Sequence, residues 1–207
     1  MSISIKNIDV FILSYNREQF LVKTIESLFN QTVKPSKITI FDNGSSKNLI
    51  EKIKNLDDER IILKTTNKNK AVNWNYTRAI KEAKADYTVL FHDDDIIHFQ
   101  FLEHVIKAIN KFPGIGLICS GMVHSKMPES LKMKNFKTKF KHYQNSLGLM
   151  EMAYWGFPIN FSSSVYYTPF IKQTQFRINE YQKISDRPFM FEIAKYNGVV
   201  ILPAPYI

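Results

Sequence analysis

The sequence predicts a single α/β domain over residues 1–207, with a mostly parallel central sheet and helices on both faces. Three observations carry this. Apolar β-branched runs alternate with helical patterns about every 25 to 30 residues. The chain has 207 residues, 44% of them hydrophobic and 14% aromatic, enough for one large core and too much for a disordered chain. No internal repeat, low-complexity linker or second domain interrupts the pattern.

The elements follow in order. IDVFILSY (8–15) is a strand, and 17–31 carries Phe20, Leu21, Ile25, Leu28 and Phe29 at helical spacing. KITIFD (37–42) is a second strand, NGSS a turn able to cap a helix, and 47–56 that helix. A third strand (60–66), a helix (74–84), a fourth strand (87–91), a helix (99–112) ending at Pro113-Gly114 and a strand (115–123) complete the alternation. Residues 124–147 break it, as an irregular surface excursion or a pair of short helices. Beyond them stand a short helix (LGLMEMAYW), an extended segment (INFSSSVYYT), a helix after Asp186 and a final strand (GVVILPAP).

Several classes drop out. No apolar run approaches the roughly 18 to 20 residues of a membrane-spanning helix, and the N-terminus has no signal-peptide core; the expected location is cytoplasmic. Cys119, the single cysteine, is flanked by apolar residues and reads as a buried, inert thiol. The net charge is +9; residues 1–120 hold 17 basic and 14 acidic side chains, whereas 126–141 alone hold six lysines and one glutamate. Such a balance suits polyphosphate ligands, nucleic acid or anionic lipid. No recurring basic and aromatic interleaving supports nucleic acid. The lysine-rich stretch reads as a solvated surface, a contact with anionic membrane or lipid-phosphate acceptor, or a contact with an acidic glycan.

In parallel sheets ligands bind outside the carboxyl ends of the strands. Reading those ends in order gives Ser14-Tyr15-Asn16-Arg17, Asp42-Asn43-Gly44-Ser45, the Asn-rich stretch 67–75, and His92-Asp93-Asp94-Asp95. Three adjacent carboxylates raise one another's pKa unless a cation intervenes, and carboxylate ligands favour Mg²⁺ or Mn²⁺. The same triplet would also suit the approach to the helix beginning near Phe99. Asp42 reads either as turn chemistry or as an acceptor for a ligand N–H. No G-x-x-x-x-G-K-[ST] motif exists, and GIGLICSG (114–121) follows Pro113 in place of a strand and lacks the third glycine, so phosphate-loop and dinucleotide sites are excluded.

Taken together, SYNR after the first strand, FDNGSS after the second, HDDD after the fourth and the late ISDRPFMFEIAKYNGVVIL resemble the family 2 glycosyltransferases, inverting enzymes of the GT-A fold that use nucleotide-diphosphate sugars. The resemblance implies a nucleotide-sugar-binding part over 1–123 and an acceptor-side part over 124–207. It implies donor contacts from Tyr15, Asn16 and Arg17, base reading by Asp42, and Asp93 on the nucleoside side. Asp94 and Asp95 would hold Mn²⁺ or Mg²⁺, with the choice between them open. The stretch NKNKAVNWNYTRAI departs from the family's Gly-containing pattern and leaves Asn73, Asn75 and Arg78 as candidates for diphosphate or sugar contacts.

Asp186 matches the family's general base, with Glu180 as the fallback and an N-cap as its structural reading. Trp155 and Gly156 fall where the acceptor binds. Members often add a His or a loop after the last strand, whereas this sequence runs to LPAPYI, so the third metal ligand would be lacking or replaced by a solvent or phosphate oxygen. The implied partners are a nucleotide-diphosphate sugar, a glycan or lipid-linked acceptor of the lipopolysaccharide or capsule type, and peripheral contact at the inner face of the cell membrane. The alternative is a non-catalytic or truncated nucleotide-sugar-binding domain.

Overall fold

The computed structural model describes residues 2–125, 134–137, 139–154 and 160–207. Its strands are β1 (Ile8–Ser14), β2 (Ile38–Asp42), β3 (Ile61–Lys64), β4 (Tyr87–His92), β5 (Leu117–Gly121), β6 (Lys141–Tyr143), β7 (Val165–Tyr167) and β8 (Val199–Pro205). They form one sheet in the order β3-β2-β1-β4-β7-β5-β8-β6. β1, β2, β3 and β4 pair in parallel, as do β5 and β8; β7 runs antiparallel between β4 and β5, and β6 antiparallel beside β8. Six of the eight strands therefore run one way.

The helices are α1 (Glu18–Phe29), α2 (Lys47–Lys54), α3 (Val72–Glu82), α4 (Phe101–Lys111), α5 (Leu147–Tyr154), α6 (Thr168–Gln173), α7 (Ile178–Tyr181) and α8 (Asp186–Asn197). Alternation along β1 divides the core: Ile8, Val10 and Ile12 meet Leu21, Ile25, Leu49 and Val105, from α1, α2 and α4. Phe11 and Leu13 point the other way and meet Ala79, Ile80, Leu149, Ile171 and Ile193, from α3, α5, α6 and α8. Both faces being covered, β1 and β2 read as near-continuous apolar runs. Phe11 and Phe41 pack edge to face across β1 and β2 with centroids 5.0 Å apart, a geometry worth about 0.5–1.5 kcal/mol beyond area burial.

Ser46 caps α2, its hydroxyl accepting from the Leu49 N–H at 3.3 Å, as the NGSS turn predicts. Cys119 is buried in β5 and burial pushes its thiol up to about 12, an inert group as expected.

The second half of the chain differs from expectation at three points. Residues 141–143 form an edge strand where the sequence reads as irregular or helical. Among the described residues of INFSSSVYYT only Val165–Tyr167 is strand, and Thr168-Pro169 then opens α6. Pro169 lies in the first turn, where its missing N–H costs nothing. No helix among the described residues is long and apolar enough to cross a membrane.

Candidate active site

The loops at the carboxyl ends of β1, β2 and β4 are tied to one another by side chains. Asp93 is almost wholly buried, and its Oδ2 accepts the Tyr15 N–H at 3.0 Å, pinning the loop after β4 to the loop after β1. Asn16 adopts φ 51°, receives the Ser46 N–H on Oδ1 at 3.0 Å and donates its own N–H to Ser45 Oγ at 2.9 Å. Asn43 then fastens the third loop, donating from Nδ2 to Asn69 Oδ1 (2.9 Å) and the Lys70 carbonyl (2.7 Å) and accepting the Lys70 N–H on Oδ1 (3.1 Å). Gly44 makes the approach possible: at φ 83°, a Cβ there would lie 2.4 Å from the Lys68 carbonyl carbon.

Asp42 meets the turn reading with one oxygen and leaves the other unpaired. Oδ2 accepts the N–H groups of Gly44 (3.0 Å) and Ser45 (3.1 Å), which is the turn chemistry. Oδ1 is buried without a hydrogen-bond partner. Asn75 is similar: Nδ2 donates to the Phe41 carbonyl at 2.7 Å while Oδ1 is buried and unpaired. An unpaired buried acceptor costs about 1–3 kcal/mol, a cost that a ligand with N–H donors removes.

A cavity of about 330 Å³ opens over these loops, lined by Ser14, Tyr15, Arg17, Asn43, Asn75, Tyr76, His92, Asp93 and Asp94 among others. A second cavity, about 560 Å³, begins at the shared residues His92 and Asp94, and continues past Asp95 to His124, Lys134, Asn160 and the C-terminal residues Tyr206 and Ile207.

The carboxylates lie between the two. Arg17 pairs with Asp94 and approaches Asp93 at 3.8 Å. Burial nonetheless raises the Asp93 carboxyl above its ordinary value, outweighing the Tyr15 hydrogen bond and the Arg17 charge. Burial likewise raises Asp95, against the opposing His92 ring and the His92 N–H, which donates to Asp95 Oδ2 at 3.3 Å. One ligand atom from each of His92, Asp94 and Asp95 lies within 4.8 Å of the others, a compact donor set of two carboxylates and an imidazole that fits a divalent cation.

His92 is the residue that sequence reasoning missed; its signal was its place at the strand end directly before the acidic triplet. Tyr76 is the second omission. Its hydroxyl meets His92 Nε2 at 2.7 Å, and its ring stacks on Phe176 and abuts Phe161. Burial raises the phenol's pKa strongly, and among the charges that raise it further Asp186 acts most, ahead of Asp95, Asp93 and Asp94.

Asp186 is half-buried in the first turn of α8, with Ser185 in the cap position. Its carboxylate makes no hydrogen bond or ion pair with a described residue, so it does not cap the helix. Glu180 is paired to Arg177 at 3.2 Å on the surface.

The remaining predicted residues divide. Tyr15, Arg17, Asn75, Asp93 and Asp94 line the smaller cavity, whereas Asn16, Asp42, Asn73 and Arg78 do not. Arg78 lies over the Phe41 and Trp74 rings and donates to the Asp42 carbonyl at 3.5 Å. Trp155 and Gly156 lie outside the described residues.

Comparison with known proteins gives concordant results. Residues 9–167 match the family described as Glycosyl transferase family 2. An uncharacterized glycosyltransferase of Methanocaldococcus jannaschii is 29% identical over 146 residues, 64% of this chain and 50% of that protein. The poly(ribitol-phosphate) beta-N-acetylglucosaminyltransferase TarP of Staphylococcus aureus is 31% identical over 105 residues, 47% of this chain and 31% of TarP. The chain thus spans half or less of these curated relatives.

Among solved structures, S. aureus TarS 1–349 superposes with a TM-score of 0.74 at 16% identity, covering 96% of this chain and 60% of that one. The same fragment with UDP-GlcNAc gives 0.71 at 16% identity, over 94% of this chain and 55% of that one. At that identity the likeness establishes the fold, which is GT-A. With three quarters of its length matched by the family, the chain belongs to glycosyl transferase family 2.

Proposed function

We propose that the chain is an inverting, metal-dependent glycosyltransferase that moves a sugar from a nucleotide-diphosphate donor, a UDP-sugar first, to a hydroxyl of a glycan or lipid-linked glycan. The observation that carries this reading is a nucleotide-sized cavity lined by Asn75, whose Oδ1 is buried and unpaired, and bordered by the His92, Asp94 and Asp95 cluster, with the unpaired Asp42 Oδ1 at the end of the neighbouring strand. The poly(ribitol-phosphate) beta-N-acetylglucosaminyltransferase TarP and the UDP and UDP-GlcNAc complexes of TarS make UDP-GlcNAc the first donor to test.

In this reading Asp42 Oδ1 accepts the N3–H of uracil, an imide donor that fits its empty lone pairs. Asn16 and Asn43 act through the backbone, holding the loops that frame the base. Tyr15 and Arg17 line the donor pocket, and Arg17 exchanges Asp94 for the diphosphate, which it can clasp with two parallel N–H donors. Asp93, fixed by the Tyr15 N–H, faces the nucleoside.

His92, Asp94 and Asp95 would hold Mn²⁺ or Mg²⁺; the imidazole in the set favours Mn²⁺, since Mg²⁺ prefers oxygen ligands alone. When bound, the ion supplies positive charge against the phosphate oxygens as the leaving group departs. Asp186 takes the proton from the acceptor hydroxyl while its oxygen attacks the anomeric carbon opposite the nucleotide. One bond forms as the sugar–phosphate bond breaks, so the configuration inverts. The larger cavity, which meets the donor pocket at His92 and Asp94, is the place for the acceptor.

Asp186→Asn tests the base. The variant keeps the shape of the side chain but cannot take a proton. It is expected to bind UDP as the wild type does and to lose transfer by at least about 100-fold, the usual scale for general-base loss. Undiminished transfer would remove Asp186 from the mechanism, and UDP binding without turnover in the wild type would leave a nucleotide-sugar-binding domain.

A further inference from the structure

His92 is held by its backbone and by its ring. The backbone N–H donates to Asp95 Oδ2 at 3.3 Å, drawing that carboxylate back to the end of β4. The ring is gripped from two sides: the Tyr76 hydroxyl of α3 stands 2.7 Å from Nε2, and Phe161 stacks on the imidazole with centroids 6.0 Å apart and planes 16° apart.

Tyr76 is in turn held in place. Its ring stacks on Phe176 with centroids 5.2 Å apart and meets Phe161 edge to face at 5.1 Å. Phe176 then stacks on Phe189 of α8 at 4.2 Å. The phenol cannot leave His92 without unstacking rings from three separate segments.

A neutral imidazole has one N–H and one lone pair, and the hydrogen bond made by one nitrogen decides whether the other can ligate a metal. With the hydroxyl at Nε2, the nitrogen left over is Nδ1. If the hydroxyl donates to Nε2, the ring proton sits on Nδ1 and blocks it. If Nε2–H donates to the hydroxyl oxygen, the Nδ1 lone pair is free. Only the second arrangement leaves a nitrogen to join the carboxylates, and one ligand atom from each of His92, Asp94 and Asp95 lies within 4.8 Å of the others.

We propose that Tyr76 is a positioning residue for the cation: its hydroxyl oxygen accepts His92 Nε2–H, fixes the tautomer and presents Nδ1 to the ion. This rests on the cation reading of the cluster and adds the source of its metal choice. A fixed nitrogen ligand favours Mn²⁺ over Mg²⁺ and Ca²⁺, which take oxygen ligands.

Mn²⁺ binding with UDP present, followed by the electron paramagnetic resonance of the free ion, tests it together with the nitrogen coupling of the bound ion. Wild-type protein is expected to show an imidazole nitrogen on bound Mn²⁺ that His92→Ala lacks. Tyr76→Phe keeps the ring packing and loses only the hydroxyl; it should weaken Mn²⁺ binding at least about tenfold, the scale for partners that orient a metal ligand. Ca²⁺, competing through oxygen ligands, should bind both forms alike. In a His92→Ala background the same substitution should change Mn²⁺ affinity by less than about twofold, because the hydroxyl then has no imidazole to hold. An equal loss in both backgrounds, or unaltered Mn²⁺ affinity in Tyr76→Phe, would overturn the proposal. So would tighter binding in Tyr76→Phe, which would put the ion on Nε2. Bound Mn²⁺ without nitrogen coupling would overturn it while leaving the carboxylate site standing, whereas a wild type that retains no Mn²⁺ would remove the cation reading and this inference with it.

Discussion

The two ends of the sheet solve different problems by different means. Around β1 to β4 each strand is followed by a loop and a helix, and those loops are bonded to one another through Tyr15, Asn16, Asn43 and Asp93. Around β5 to β8 the strand directions mix, two strands have three residues, and the helices α6 and α7 have six and four. The first arrangement fixes backbone positions before a ligand arrives, which is what a nucleotide needs. The second is assembled from short pieces, and the larger cavity borders it along residues 122–125, Lys134, Phe136, Asn160 and residues 205–207.

That contrast can be broken most forcefully at the centre of the sheet. Ile12 is fully buried in β1, so Ile12→Ala is expected to cost about 2–5 kcal/mol in a denaturant titration, from lost transfer and the cavity left behind. On the other side Leu147→Ala removes an exposed side chain and should stay within about 0.5 kcal/mol. Equal losses would mean that α5 bears on stability as the centre of the sheet does.

A smaller effect sharpens the comparison inside the site. Burial raises the Asp95 carboxyl above its unfolded value, so the cost in stability is absent below the unfolded value, grows as pH rises from there to the folded value and is full above it. Asp95→Asn removes the charge and is expected to raise the melting temperature of the metal-free protein at neutral pH, about 2–4 °C for each 1 kcal/mol relieved. The gain should vanish near pH 3 and invert when Mn²⁺ is added, since the wild type alone gains from the ion. A destabilised variant at neutral pH would show that Asp95 serves packing and not ligand binding.

Legibility in the sequence followed the same division. β1 to β5, α1 to α4, α8 and β8 were readable because their signals are local: apolar runs, helical spacing, and Ser46 at a cap. β6 was not, because Lys141-His142-Tyr143 carries no apolar run and exists through pairing with Ile201, Val200 and Val199, nearly 60 residues away. α6 hid inside an apparent strand of Ser, Val and Tyr, although Pro169 after Thr168 was a usable signal for its start.

In the site, the stations at the strand ends were visible because parallel topology dictates where to look. The base role expected of Asp186 rests on resemblance, and the structure adds that its charge helps raise the Tyr76 phenol. His92 stood at a strand end but was given no role, and Tyr76 escaped because its meaning lies in a contact between α3 and β4, which no spacing along the chain encodes.

The central claim is that the strand-end cluster binds a nucleotide diphosphate together with a divalent cation. Calorimetric titration of UDP into the wild type and into Asp94→Ala/Asp95→Ala, each with and without Mn²⁺, tests it most directly. The account predicts that Mn²⁺ tightens UDP binding to the wild type by at least about tenfold and leaves the variant unchanged. UDP affinity that is the same with and without Mn²⁺ in the wild type would contradict it.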